Sequence, residues 1–270
     1  MQQALDAGIS LTGPAEVYEA EEVVGQAIKG LDRDAIVLST KKNSWDRITP
    51  KDLEKGLEAS LRHLGVDYVG INHLHDVARK NYDYMVSEIL PTLHELGAQG
   101  KIRFLGIAEQ GRADLGHRML PRAMVDDWWD VVMAEFNILN QSARERVLAP
   151  AMPKNTGVLA MFAGRLAPSR QERLIEVVQE LIEDGQADPD EIEETDPVGF
   201  LTGVGGAASV PDAAYPFCRD EPCIRAVLSG TGNLEHLKAN LESFARPPLA
   251  ENVMRRLNLV FQHVDSVSGH

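Results

Sequence analysis

Cysteine, positive charge and long apolar segments are all scarce in this sequence of 270 residues. Its two cysteines, Cys218 and Cys223, are too few for a disulfide framework, so we expect inert thiols in a reduced, cytoplasmic protein. Lys and Arg number 27 against 41 Asp and Glu, and the net charge of -14 argues against nucleic acid or an anionic membrane as a partner. No apolar run approaches the roughly 20 residues that span a bilayer, and residues 1–10 lack the features of a signal peptide.

Apolar and charged residues are present in ordinary globular proportions, at 44% and 25%. Short apolar runs alternate with stretches of helical spacing, which predicts an α/β protein with a parallel sheet, either doubly wound or closed into a barrel. The predicted helix at 50–64 has Thr49 as its N-cap, Pro50 in its first turn and leucines along one face. Strands are predicted at 34–40, 67–74, 101–107, 130–136, 157–162 and 224–229, and further helices at 20–29, 171–183, 212–219 and 234–244.

One long segment, 183–211, has no strand or helix pattern. Its first half is acidic and contains proline, and its second half is rich in glycine. We expect a solvated surface loop here, with a mobile lid over a ligand as the alternative. Directly after it, Pro216 should kink or shorten the helix at 212–219.

Five groups of short motifs follow one another along nearly the whole chain. The motifs are ALDAGI, AEVY and EEVVG at 4–9, 15–18 and 21–25; STK at 39–41; SLRHLGVDYV and HLHD at 60–69 and 73–76; GKIRFLGI at 100–107; and GTGN, HL and NL at 230–233, 236–237 and 240–241. Together they resemble the aldo/keto reductase family, and their shared order makes the resemblance more specific than any single motif.

The resemblance implies a single (β/α)8 barrel of the TIM type over residues 1–270, with its site at the carboxyl ends of the strands. It also implies NAD(P)H-dependent reduction of an aldehyde or ketone, with a small carbonyl compound as the partner. Because the sequence begins at the end of the family's first helix, the family's first barrel strand has no counterpart here. We therefore expect an open barrel of seven strands.

The family's catalytic tyrosine, lysine and histidine match Tyr18, Lys41 and His75. In such a site the phenol supplies the proton that the reduced carbonyl oxygen needs, although its unperturbed pKa of about 10 makes it a reluctant donor. A lysine ammonium stabilises the phenolate, and an imidazole can hydrogen-bond to the carbonyl oxygen and orient it. Without the resemblance, Tyr18 is equally well an ordinary loop residue, and Lys41 with Lys42 a solvated pair.

The family's fourth catalytic residue, an aspartate five positions before the tyrosine, is replaced by Gly13. Without this counter-charge, burial should lower the pKa of Lys41 and weaken its effect on Tyr18. Glu16 cannot be assumed to take the aspartate's place. The alternative to a reductase is therefore a weakened or inactive barrel that binds a ligand or a protein partner.

The resemblance also assigns residues to the nicotinamide cofactor. Ala108 and Glu109 stand where the family often has a Ser-Asn pair that holds the carboxamide, and Met133 replaces a common Gln. Phe162 either stacks on the nicotinamide or is a core aromatic. A glycine-containing turn before a helix suits the phosphates, and family habit favours NADP(H) over NAD(H). At this adenosine end we expect Gly230, Thr231, Gly232, Asn233, His236 near the 2′-phosphate, and Asn240 at the adenine.

A third interpretation rests on His73 and His75, which alternate on one strand and resemble the metal-binding pair of amidohydrolase barrels. It requires further ligands at later strand ends. The remaining histidines lie in stretches of helical character or near the end of the sequence, so we predict no metal site.

Overall fold

The computed structural model describes residues 1–164, 170–193, 195–202 and 206–268. The chain divides into two units, one of Met1–Asp114 with Arg122–Met133 and the other of Leu115–Pro121 with Ala134–His270. Strands alternate with helices along both. The expectation of a single domain over residues 1–270 stays a prediction.

The first unit is built on parallel strands that pair in chain order. They are β1 (Leu11–Thr12), β2 (Val37–Asn43), β3 (Val69–Val77), β4 (Ile102–Glu109) and β5 (Val131–Glu135), of which 131–133 belong to this unit. Its helices are α1 (Gln2–Asp6), α2 (Glu21–Ile28), α3 (Pro50–Leu64), α4 (Tyr82–Tyr84), α5 (Leu90–Ala98) and α6 (Leu120–Asp126), of which 122–126 belong here. The strand register places Lys41 beside His73, and His73 beside Gly106.

Helix α3 has the predicted bounds because its ends are chemically marked. The Thr49 hydroxyl accepts the N–H of Asp52 at 3.2 Å, and the Asp52 carboxylate accepts the N–H of Thr49 at 3.0 Å. Gly65 ends the helix in the left-handed conformation, at φ 67°. The leucine stripe between these caps is buried: Leu53, Leu57, Leu61 and Leu64.

The described residues of the second unit include the end of β5 and the parallel strands β6 (Gly157–Met161) and β7 (Ile224–Val227). Its helices are α7 (Ala149–Ala151), α8 (Gln171–Glu183), α9 (Val210–Arg219), α10 (Leu234–Phe244) and α11 (Glu251–Phe261). Phe136 and Phe217 stack in its core with ring centroids 5.1 Å apart. Cys218 is buried there with its thiol directed at the Phe136 carbonyl oxygen, and burial raises the pKa of this thiol.

The six strands predicted from the sequence are all present, with each end within three residues of its expected position. The two-residue β1 escaped prediction, and so did α6, α7 and α11. The helix that runs from α4 through a π-helical segment, Met85–Ile89, into α5 was also missed. The described residues thus contain seven strands, as expected. Among them no helix combines the length and the apolar composition needed to cross a membrane.

The segment 183–211 differs in part from the expected solvated loop. Two short 3-10 helices, Pro189–Glu191 and Gly199–Leu201, interrupt it, and the side chains of Val198 and Leu201 are buried. These two apolar side chains, which follow the acidic first half of the segment, therefore anchor the loop. Part of the glycine-rich half of this prediction, 203–205, and residue 194 lie outside the described residues. Pro216 lies within α9, which still continues to Arg219.

Candidate active site

Tyr18 is the last residue of a short 3-10 helix, Glu16–Tyr18, that follows β1. Its N–H donates to the carbonyl oxygen of Ala15 at 2.9 Å, and Glu19 ends the turn at φ 50°. The Tyr18 side chain is 57% exposed. A small molecule can therefore reach its hydroxyl.

Lys41 lies on β2 and is buried. Its Nζ donates to the carbonyl oxygens of Gly13 at 2.7 Å and Pro14 at 3.0 Å, and lies 5.5 Å from the centroid of the Tyr18 ring. Burial lowers the pKa of Lys41 from 10.5 to about 8, and the nearby carboxylate of Glu21 opposes this shift. The side chain is therefore mostly an ammonium at neutral pH and begins to lose its charge just above it.

His75 lies on β3, with its Nε2 3.5 Å from the Tyr18 hydroxyl. The two rings meet edge to face, with centroids 5.8 Å apart. Burial, and then the charge of Lys41, lower the pKa of His75 from 6.5 to about 4. At neutral pH the imidazole is uncharged and carries one N–H, which can donate to a carbonyl oxygen. The structure thus brings the predicted catalytic tyrosine, lysine and histidine together.

Gly13 lies next to the ammonium group of Lys41. Backbone carbonyl oxygens accept the hydrogen bonds of the Lys41 ammonium here, and a Cβ on Gly13 would lie 3.6 Å from Nζ. Glu16 contacts the neighbouring lysine instead, because both of its carboxylate oxygens accept from Lys42 Nζ, at 2.9 and 2.8 Å. Glu16 therefore forms its ion pair with Lys42 rather than with Lys41.

A carboxylate that the sequence did not single out, Glu21, lies in the first turn of α2 and is buried. It accepts a hydrogen bond from the Thr40 hydroxyl at 2.6 Å and lies 3.4 Å from His63 Nδ1. Its negative charge raises the pKa of Lys41. An acidic residue in the first turn of a helix is usually solvated and favoured by the helix dipole, so nothing in the sequence marked Glu21 as buried.

His73 is a packing residue in this structure. It is fully buried, with Nδ1 3.1 Å from the Ser39 hydroxyl, and its ring fills the space that a side chain at Gly106 would need. Burial, and then Lys41, lower the pKa of His73 to about 3. In the described part of the chain, no group of three or more His, Cys, Asp or Glu side chains is placed to hold a metal ion.

Three residues assigned to the nicotinamide end lie in the first unit. Ala108 and Glu109 are the last two residues of β4, and Ala108 is paired in register with Met133 of β5. All three are buried. Because Ala108 and Met133 have no strong hydrogen-bonding side-chain atoms, Glu109 is the one of the three that can bind a carboxamide through its side chain.

The other assigned residues lie in the second unit. Phe162 directly follows β6, is partly exposed and has a left-handed backbone at φ 66°. Residues 230–233 form the turn before α10, in which the Thr231 hydroxyl accepts the Asn233 N–H at 3.0 Å and the Asn233 side chain caps the helix by accepting the Glu235 N–H at 2.8 Å. His236 is exposed, and Asn240 donates to the Ser229 hydroxyl at 2.8 Å.

Comparison with known proteins identifies the family. The aldo/keto reductase family model matches residues 1–260, and the chain belongs to this family. The NADH-specific methylglyoxal reductase of Escherichia coli is 28% identical over 176 residues, which are 58% of this chain and 52% of that protein. The match thus spans about half of that relative's length.

Two solved structures show the fold. The holo form of an aldo-keto reductase from Bacillus halodurans has a TM-score of 0.71 at 20% identity, covering 99% of this chain and 86% of that one. An aldo/keto reductase from Klebsiella pneumoniae in complex with NADP and acetate has a TM-score of 0.67 at 22% identity, covering 96% and 83%. The chain has the α/β fold of these proteins, the (β/α)8 type that the sequence predicts.

Proposed function

We propose that this chain reduces an aldehyde or ketone to an alcohol with a nicotinamide cofactor. The proposal rests on the proximity of three side chains. The Tyr18 hydroxyl lies 3.5 Å from His75 Nε2, and the Lys41 ammonium lies 5.5 Å from the centroid of the Tyr18 ring. Membership of the aldo/keto reductase family supports the reaction class. A small carbonyl compound is the proposed substrate.

Each side chain has a distinct task in this proposal. Tyr18 donates the proton to the carbonyl oxygen, and the positive charge of Lys41 stabilises the phenolate that remains. His75, uncharged at neutral pH, donates its N–H to the same oxygen and holds it towards Tyr18. The bound cofactor supplies the hydride to the carbonyl carbon. Because Lys41 must be protonated, the rate should fall as the pH rises above about 8.

NADP(H) is the proposed cofactor, and the chain's own residues fit its two ends differently. Gly230 and Gly232 are exposed with open space where a Cβ would stand, so phosphate oxygens can approach the backbone N–H groups of the turn. Thr231, Asn233, His236 and Asn240 complete the proposed adenosine end. Glu109 would accept from the carboxamide, and Ala108, Met133 and, in the second unit, Phe162 are the other residues proposed for the cofactor. The NADP-bound Klebsiella pneumoniae structure supports this preference. Because one relative is specific for NADH, NADH binding must be measured alongside NADPH binding.

Cofactor fluorescence and turnover test the proposal in turn. NADPH titrated into the purified chain should change the cofactor fluorescence at lower concentration than NADH does. With an aromatic aldehyde, Tyr18→Phe should lower kcat at least about 100-fold, because it removes the proton donor, and should leave cofactor binding unchanged. The matched control is Tyr68→Phe, which removes a buried hydroxyl that has no hydrogen-bond partner among the described residues. Full activity in Tyr18→Phe would overturn the assigned role.

A weakened or inactive barrel that binds a ligand is the second candidate, and Gly13 is the observation that favours it. Lys41 donates to two backbone carbonyl oxygens and has no carboxylate at position 13. Tight cofactor binding without turnover of any aldehyde or ketone would support this candidate over the reductase.

Both cysteines are free thiols, which suits a reducing compartment, and we propose the cytoplasm on that ground.

A further inference from the structure

Two consecutive lysines on β2 make contacts in different directions. Successive side chains of a strand point to opposite faces, so Lys41 and Lys42 diverge from adjacent backbone positions. Lys41 is directed at the Tyr18 ring. Lys42 instead contacts Glu16, two residues before Tyr18. The same strand therefore contacts the tyrosine and the segment that carries it.

The Lys42–Glu16 ion pair is bidentate. Lys42 Nζ lies 2.9 Å from one Glu16 carboxylate oxygen and 2.8 Å from the other, and the lysine side chain is only 14% exposed. Charged hydrogen bonds to both oxygens fix the direction of a carboxylate as well as its distance. Glu16 begins the 3-10 helix that Tyr18 ends, so the pair connects this helix to β2.

Helix α3 leaves room for this lysine. A Cβ at Gly56 would lie 2.8 Å from Lys42 Cδ, closer than side chains tolerate, and 3.1 Å from Nζ. The absence of a side chain at position 56 therefore lets the aliphatic part of Lys42 lie along the helix. A cavity of about 480 Å³ adjoins the pair and is lined by Glu16, Lys42, Lys55 and Gly56, among others.

The 3-10 helix needs an external attachment to hold a phenol in place. It has only three residues, its type of hydrogen bonding has poorer geometry than that of an α-helix, and the Tyr18 side chain is more than half exposed. The Tyr18–His75 distance of 3.5 Å is at the upper limit of a hydrogen bond. A small rotation of the short helix would carry the hydroxyl out of reach of His75.

We propose that the Glu16–Lys42 ion pair sets the position of the Tyr18 hydroxyl, with Glu16 and Lys42 as positioning residues for proton donation. The inference rests on the proposed function in one respect, that Tyr18 is the proton donor. Neither residue contacts the reacting atoms. They act on the position of Tyr18 through the two peptide units that join Glu16 to Tyr18 in the 3-10 helix.

A double-mutant cycle in the full chain tests the pairing. Glu16→Gln and Lys42→Met should each lower kcat about tenfold, because a shift of the donor misaligns the proton, and should leave the KM for the cofactor unchanged. The double variant should be no slower than either single variant, since both remove one interaction. The matched control is Glu58→Gln, which breaks the ion pair of Glu58 with Lys101 and should keep wild-type kcat. Unchanged kcat in the single variants, or losses that multiply in the double variant, would overturn the proposal.

A spectroscopic measurement keeps the inference separate from the reductase activity. The chain has five tyrosines, so labelling with 3-fluorotyrosine gives few ¹⁹F resonances, and Tyr18→Phe identifies the one from Tyr18. That resonance should shift or broaden in Glu16→Gln and in Lys42→Met but not in Glu58→Gln. This result supports the positioning role even if no carbonyl compound is reduced. An unchanged Tyr18 resonance in both variants would refute the role whatever the enzyme's activity.

Discussion

Lys41 of the first unit is held by burial, whereas the turn at 230–233 of the second unit is held by its own backbone and caps. Lys41 is 4% exposed, and its low pKa follows from that burial. Every residue of the turn is exposed, and its hydrogen bonds join residues two positions apart. The charge of Lys41 therefore depends on the groups packed around it. The backbone N–H groups of the exposed turn, in contrast, do not depend on packing for their ability to donate hydrogen bonds. Substitutions in the first should change stability and pKa values, and those in the second should act locally.

The largest effect on stability is expected at Gly106 in β4, where the ring of His73 in β3 leaves no space for a side chain. Gly106→Ala would place a methyl group against the buried ring of His73, and overpacking of this kind destabilises by about 1–3 kcal/mol. Urea unfolding should show this loss. The control is Gly97→Ala in α5, where a Cβ would meet only a carbonyl oxygen at 3.8 Å, so alanine should be neutral or stabilising. Equal stability of the Gly106→Ala variant and the wild type would show that the ring of His73 has room to move.

The pKa of Lys41 gives a smaller effect that sharpens the contrast. Gly13→Asp would place a carboxylate next to Nζ and raise the pKa of Lys41, so the alkaline fall in kcat should move to higher pH by about one unit. The isosteric, uncharged Gly13→Asn should not cause this shift. Removal of the charge of Glu21 in Glu21→Gln should move the fall to lower pH, because that carboxylate raises the pKa of Lys41. A pH–rate profile checks all three variants, and identical profiles would mean that Lys41 does not control the rate.

The smallest effect is expected in the turn. Asn233→Ala removes the N-cap of α10, which should cost about 1 kcal/mol in the free energy of unfolding and weaken cofactor binding. The alkaline limb of the pH–rate profile should not move. Gly232→Ala, at a position with no neighbour within 4 Å, should leave stability unchanged and serves as the control. A shifted pH profile in Asn233→Ala would break the distinction between the two regions.

The sequence predicted the strands and α3 well because their signals are local. Apolar runs and a Thr49–Pro50 helix start depend only on neighbouring residues. Strand β1 has two residues, too few for any periodicity. The path from α4 to α5 passes through a π-helical segment, whose altered spacing hides the 3.6-residue repeat.

The site was predictable only where side chains follow family motifs. Tyr18, Lys41 and His75 stand in such motifs, and the structure brings them together. Glu21 escaped prediction because its burial arises from contacts with Thr40 and His63, which are 19 and 42 positions away. The pairing of Glu16 with Lys42 depends on which face of β2 each lysine occupies and on the space at Gly56. These are long-range facts that no local pattern contains.

Gly56 sets a limit on how this protein can be improved by directed evolution. Glycine inside a helix costs about 1 kcal/mol relative to alanine, so a search for thermostable variants would select Gly56→Ala in α3. The new methyl group would displace Lys42, whose contact with Glu16 lies beside the tyrosine. Stability and activity would then be traded against each other at one position outside the catalytic residues. Screens that reward heat resistance alone would then lower the proposed activity through a residue that does not touch the reacting atoms.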